Sequence, residues 1–207
     1  MPSPDPASAR ATPAHSASPP GTPAREELLR ILLERSLLRG HFVLASGRTS
    51  SYYLDVRRTS LHPRGSVLIA RLLFEEIRTT AARATGGLTL GADPLAAVLA
   101  ALSSEWGQPL PAFLVRKAAK GHGTGSRIEG GLEAGTPVAL LEDVVTSGGS
   151  ALDAAAAVRE LGCPIVGVWA VVDREQGGRA ALAAEGLALS ALFTGRELLT
   201  AAGIEVS

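Results

Sequence analysis

Two adjacent carboxylates, Glu142 and Asp143, separate an apolar run from a loop of hydroxyl and glycine residues in Val138-Ala139-Leu140-Leu141-Glu142-Asp143-Val144-Val145-Thr146-Ser147-Gly148-Gly149-Ser150. The run predicts a strand and the alanine-rich segment after it a helix. The acids then stand at the carboxyl end of a strand, where open α/β sheets bind ligands. Residues Thr146 to Ser150 offer backbone N–H groups and hydroxyls at a helix N-terminus, which suits a phosphate dianion. Two carboxylates repel phosphate, so their fitting partners are the hydroxyls of a sugar, whose ring they would stabilise as positive charge develops on it. A plain strand end and helix cap would leave the acid pair and the loop composition unexplained.

A second stretch, Leu114-Val115-Arg116-Lys117-Ala118-Ala119-Lys120-Gly121-His122-Gly123-Thr124-Gly125, places three cations and a histidine after another apolar run. Charge runs are ordinarily solvated loops. Here all the charges have one sign and glycines follow them, a composition that fits a mobile lid closing over an anion. Two further segments carry candidates. Phe42 to Asp55 reads as a hairpin with aromatics, and Val171-Val172-Asp173-Arg174-Glu175-Gln176-Gly177-Gly178 puts Arg174 at the carboxyl end of a third apolar run.

The thirteen residues Val138 to Ser150 resemble the phosphoribosyl pyrophosphate (PRPP) signature of the type I phosphoribosyltransferases. The Arg116-Lys117, Lys120 and His122 spacing resembles the catalytic loop of the orotate phosphoribosyltransferases in particular, and the Phe42 to Asp55 segment resembles that family's motif near the base site. The likeness runs from about Leu28 to Leu199. It implies an α/β fold, a mostly parallel sheet flanked by helices with a small N-terminal helical and extended hood. It also implies an enzyme of pyrimidine synthesis that joins orotate to the ribose phosphate of PRPP, releasing pyrophosphate. PRPP would meet Arg116, Lys117, Lys120, His122, Glu142, Asp143, Val144, Val145, Thr146, Ser147, Gly148, Gly149 and Ser150. Orotate would meet Thr146 and Arg174. Lys120, His122, Glu142 and Asp143 are the catalytic candidates.

The resemblance further implies Mg2+ as cofactor, held mainly by PRPP and with no direct protein ligand expected. It implies a homodimer in which Arg116, Lys120 and His122 reach the partner's site. Some family members carry lysine where Ala45 stands and another near Gly91-Ala92-Asp93-Pro94-Leu95. This chain has neither, so backbone N–H groups of that loop are the expected substitute, with Asp93 an awkward neighbour for pyrophosphate. A purine-base phosphoribosyltransferase is one alternative, but a neutral purine would not demand Arg174 or the cationic loop. The other is a PRPP-sensing regulator without catalysis, which ordinarily needs a basic surface or a nucleic-acid-binding domain.

Several elements must position these residues. Pro63 to Arg78 predicts a helix with proline at its start, and Ala24 to Leu38 predicts an amphipathic helix capped by Gly40. Strands are expected at Leu88 to Leu90, Ala112 to Val115, Val138 to Leu141 and Ile165 to Val172, and a short extended stretch at Ser51 to Val56. Helices are expected at Pro94 to Ser104 and Ser150 to Leu161, an alternation that argues for a parallel sheet. Residues 1–23 hold seven of the thirteen prolines and read as a disordered tail before a single domain at 24–207.

Composition excludes other classes. Twenty basic and twenty acidic residues cancel, leaving no electrostatic footprint for nucleic acid. No apolar run approaches the roughly 20 residues of a membrane span. The single cysteine, Cys163, and the lack of a secretory start lead to a cytoplasmic expectation.

Overall fold

A computed structural model of the chain describes residues 22–43, 49–118 and 126–204. Helix α1 spans Pro23–Arg35, with the side chain of Thr22 accepting from the Arg25 backbone N–H and proline at the first position. Residues 1–21 of the expected tail lie outside the described residues. The helix ends at Ser36 rather than at Leu38, because Ser36 Oγ is buried against Thr59 Oγ1 at 2.7 Å and the chain turns there into a strand. Gly40 is therefore not a cap. It lies in β1 (Leu37–Val43), which pairs antiparallel with β2 (Thr49–Leu54), at a register shift between Arg39 and Phe42.

A short helix, α2 (Arg57–Ser60), leads into α3 (Pro63–Ile77), whose first turn is capped by His62 accepting from Gly65 N–H. A six-stranded sheet follows, ordered β5-β4-β3-β6-β7-β8. Its strands are β3 (Ala84–Leu88), β4 (Ala112–Val115), β5 (Ile128–Glu129), β6 (Val138–Val145), β7 (Ile165–Asp173) and β8 (Leu189–Thr194). All neighbours pair in parallel except β4 with β5. Helices α4 (Asp93–Glu105), α5 (Gly149–Glu160), α6 (Gly178–Ala184) and α7 (Gly195–Ala201) complete the α/β architecture.

The side chains of β6 and β7 alternate between two cores. Ala139, Leu141, Trp169 and Val171 pack with α1, α3 and α4 on one face of the sheet. Val138, Leu140, Val168 and Ala170 pack with α5 and α6 on the other. Burial on both faces is what a near-continuous apolar strand reports in a parallel sheet. Arg25 ties the two ends of the chain together: it pairs with Glu197 at 2.7 Å, donates to Leu192 O at 2.9 Å and lies 4.4 Å from the centre of the Phe193 ring.

Strand β3 lies earlier than the expected Leu88 to Leu90. Its sequence, Ala-Thr-Gly-Gly-Leu, has turn composition, yet a side-chain carbon at Gly87 would stand 2.2 Å from Leu141 O and one at Gly86 2.0 Å from Phe113 O. The glycines are there because neighbouring backbone presses on them. Leu90 is instead a loop residue, 67% exposed, preceded by a cis peptide at Thr89-Leu90.

Candidate functional site

At the carboxyl end of the sheet lies a cavity of about 650 Å³. Strand order sets its plan. Lys117 follows β4, Thr89 to Gly91 follow β3, Glu142, Asp143 and Thr146 to Ser150 come with β6, and Arg174 follows β7, so these elements stand side by side in that order. Lys117, Glu142, Asp143, Val144, Thr146, Ser147, Ser150 and Arg174 all line the cavity. Residues distant in sequence are thus brought together by parallel pairing alone.

Glu142 and Asp143 lie within β6 rather than beyond its end, with Glu142 opposite Ala170 on β7. Glu142 is 5% exposed, and its Oε2 has no hydrogen-bond partner among the described residues. Burial, with the charge of Asp143 second, pushes its carboxyl up to about 8. Asp143 is half-buried, and its Oδ1 accepts from the Val144 backbone N–H at 2.8 Å. Gly91 closes over both acids: a side-chain carbon on it would stand 2.6 Å from Asp143 Oδ1 and 3.0 Å from Glu142 Oε1.

The loop after β6 reverses at Gly148, whose φ of 86° is left-handed and favours glycine. That turn aims the chain into α5, leaving the first-turn N–H groups of the helix without intrahelical partners. Thr146 is held from behind, since its carbonyl accepts from Gly178 N–H at 2.8 Å.

Arg174 is held at both ends. Its backbone N–H donates to Val145 O at 2.9 Å, and its guanidinium donates to Tyr52 Oη at 3.3 Å with the Tyr52 ring centre 5.4 Å away. The turn that carries it is fixed by Asp173, 1% exposed, which accepts from Glu175 N–H at 2.9 Å and pairs with Arg179 at 3.0 Å. Hairpin β1–β2 reaches the cavity through Tyr53 and Leu54, which line it, while Tyr52 meets Arg174.

Arg116 is placed differently from its neighbour Lys117. Its guanidinium meets Glu129 of β5 at 3.4 Å, and it is not among the residues lining the cavity of its own chain. Lys120 and His122 lie outside the described residues, as does Ala45. Asp93 opens α4 and accepts from Thr89 Oγ1 at 2.7 Å, and it is not among the residues lining this cavity.

The sequence reading overlooked Arg57 and Gln176, and gave Asp55 and Thr89 no role. All four line the cavity. Arg57 follows the Phe42 to Asp55 motif by two residues, and an arginine pair directly after a candidate ligand-binding motif was a usable signal.

No protein-family model matches the sequence. The chain is 47% identical over 178 residues to the orotate phosphoribosyltransferase of Aquifex aeolicus, covering 84% of this chain and 97% of that protein. It is 46% identical over 170 residues to the enzyme of the same name from Thermosynechococcus vestitus, covering 82% and 89%. Among solved structures, the orotate phosphoribosyltransferase of Mycobacterium tuberculosis in complex with PRPP superposes with a TM-score of 0.73 at 40% identity, covering 85% of this chain and 99% of that one.

Proposed function

The chain belongs to the orotate phosphoribosyltransferase family, and from that premise we propose how its own residues transfer the ribose 5-phosphate of PRPP to orotate. The observation that carries the reading is the adjacency of an acid pair, a hydroxyl and glycine loop at a helix start, and Arg174 around one cavity. The bond from C1 of the ribose to pyrophosphate oxygen breaks, a bond from C1 to an orotate ring nitrogen forms, and the products are orotidine 5′-phosphate and pyrophosphate.

The 5′-phosphate sits on Thr146, Ser147, Gly148, Gly149 and Ser150, where N–H groups and hydroxyls converge at the start of α5. Glu142 and Asp143 meet the ribose hydroxyls, and the charge of Asp143 stabilises the oxocarbenium character that develops at C1. Glu142 Oε2, buried and without a partner, is suited to receive such a hydroxyl. Arg174 and Thr146 hold orotate, with Tyr52 orienting the guanidinium toward its carboxylate. Catalysis on this plan is positioning and charge stabilisation.

Lys117, together with Lys120 and His122 of the cationic segment, neutralises the departing pyrophosphate, and Lys120 or His122 supplies its proton. Arg116 contributes from the opposite chain of a homodimer, since within its own chain it faces Glu129 and not the cavity. A dimer is also favoured by an apolar hollow beside the cavity, where Leu61 is 72% and Leu90 67% exposed next to Pro94.

Mg2+ belongs to this proposal as a companion of the substrate. It is a hard cation that binds phosphate oxygens and retains water, and it would supply charge neutralisation at the diphosphate. Glu142 and Asp143 are the carboxylates that line the cavity on the same side as Gly91 and could orient its water ligands. A cytoplasmic location is part of the same reading; no helix among the described residues is long and apolar enough to cross a membrane.

The direct test is the loss of orotate absorbance on mixing enzyme, PRPP and Mg2+, with adenine, hypoxanthine and uracil as competing acceptors. Turnover confined to orotate supports the proposal. Turnover of a purine, or none, overturns it.

A further inference from the structure

The diphosphate of PRPP brings several negative charges into a cavity that already holds Glu142 and Asp143, so cations must line its end of the site. Among the described residues the cavity is lined by three: Arg57, Lys117 and Arg174. Arg174 stands after β7 against Tyr52, on the side assigned to orotate. Lys117 stands after β4, beyond the β3 loop. No lysine occurs at Ala45 or within Gly91 to Leu95. Beside Lys117, already assigned to pyrophosphate, the remaining cation of the described lining is Arg57, at the start of α2, which the sequence reading did not assign.

Three observations place it. Arg57 lines the cavity and, with Asp55 and Leu90, also lines the adjoining apolar hollow, so it forms part of the wall between them, next to the Thr89 to Gly91 loop. Its Nε donates to Asp55 Oδ1 at 2.9 Å, which fixes the guanidinium while using one of its five N–H donors. Asp55 first, and Asp143 more weakly, hold its guanidinium in the charged form. An arginine braced by one carboxylate through Nε, with both Nη groups free of any partner among the described residues, is built for bidentate contact with phosphate oxygens.

We propose that Arg57 binds the diphosphate group of PRPP from within the same chain, on the β3 side of the cavity, and holds it as it leaves. Asp55 is the positioning residue for Arg57. The assignment rests on the proposed seating of PRPP with its 5′-phosphate on Thr146 to Ser150 and its sugar hydroxyls at Glu142 and Asp143. The leaving group then has no place on those residues and must meet the loop after β3.

The test uses three ligands that divide the substrate: PRPP, magnesium pyrophosphate, which is the leaving group alone, and orotidine 5′-phosphate, which lacks it. Titration calorimetry on the full-length dimer gives each dissociation constant for wild type, Arg57→Ala, Arg57→Lys and Asp55→Asn. Binding of PRPP and orotidine 5′-phosphate by wild type tests the family activity itself, independently of Arg57. For Arg57→Ala the expected result is a loss of at least about tenfold for PRPP and pyrophosphate, with orotidine 5′-phosphate changed by less than about twofold. The lysine variant should recover part of the pyrophosphate affinity, because it restores charge without the planar fork. Asp55→Asn should weaken the same two ligands more mildly. Equal losses for all three ligands would make Arg57 a structural residue, and unchanged pyrophosphate binding would remove it from the site; either result overturns the proposal.

Discussion

Gly91 lies directly against the carboxylate of Asp143, so closely that a side-chain carbon on Gly91 would stand 2.6 Å from Oδ1. The loop after β3 and the acid pair of β6 are thereby one surface, with no room for even a methyl group between them. Gly91→Ala must displace Asp143, Glu142 or the loop. Since a misplacement of about 1 Å can cost about a hundredfold in rate, kcat should fall at least about tenfold while the melting temperature changes little. Steady-state kinetics beside a thermal melt checks this, and normal turnover would show that the contact is dispensable.

Asp143→Asn keeps the shape of the side chain and removes the charge. If that charge acts on the oxocarbenium-like transition state, kcat falls at least about a hundredfold with the fold intact. Circular dichroism establishes the fold and the orotate assay the rate. A variant with near-normal turnover would sink the role.

Glu142 is pushed up to about 8 by burial, while its ordinary value is 4.5, so folding favours its protonated form. Below about 4.5 both folded and unfolded chains hold the proton and the residue is neutral to stability. As pH rises from there to about 8 the unfolded chain gives up the proton first, and a destabilising contribution grows, reaching its full size above about 8. Glu142→Gln removes that contribution. Its melting temperature should match wild type near pH 4.5 and exceed it by several degrees at pH 8.5. Equal gains at both pH values would refute the titration argument.

Arg174→Ala deletes the proposed contact to the orotate carboxylate. KM for orotate should rise far more than KM for PRPP, because a charge-assisted contact to one substrate is lost. Asp173→Asn loosens the turn that presents Arg174 and should show the same bias in weaker form, since Asp173 holds Glu175 N–H and Arg179 rather than substrate. Equal effects on both substrates would point to a structural arginine.

Subunit mixing tests the shared site. If Lys120 acts in the partner's site and Asp143 in its own, Lys120→Ala and Asp143→Ala homodimers each have two dead sites. Random mixing makes about half of the dimers mixed, each with one intact site, so about a quarter of wild-type activity returns. Refolding the two variants together and assaying orotate consumption measures it. No recovery in a sample shown to contain mixed dimers places both residues in one chain.

The sequence by itself determined the sheet's centre and the chemistry at its edge. Val138 to Leu141 and Ile165 to Val172 are apolar on both faces because both faces are buried, and such runs are legible without coordinates. The acid pair and the Thr146 to Ser150 loop were legible for the same local reason: strand, acids, glycine turn and helix follow one another in the chain.

Tertiary structure decided what depends on contacts between distant segments. Gly86 and Gly87 look like a turn until the carbonyls of Phe113 and Leu141 are seen pressing on them. Gly40 looks like a helix cap until the hairpin claims it. Arg116 and Lys117 are adjacent in sequence, yet one meets Glu129 and the other lines the cavity. Arg57 belongs to the same cavity only because α2 packs at the end of the sheet. Periodicity and motif spacing report short-range preference, whereas these placements follow from strand order and close packing, which no local stretch of the chain contains.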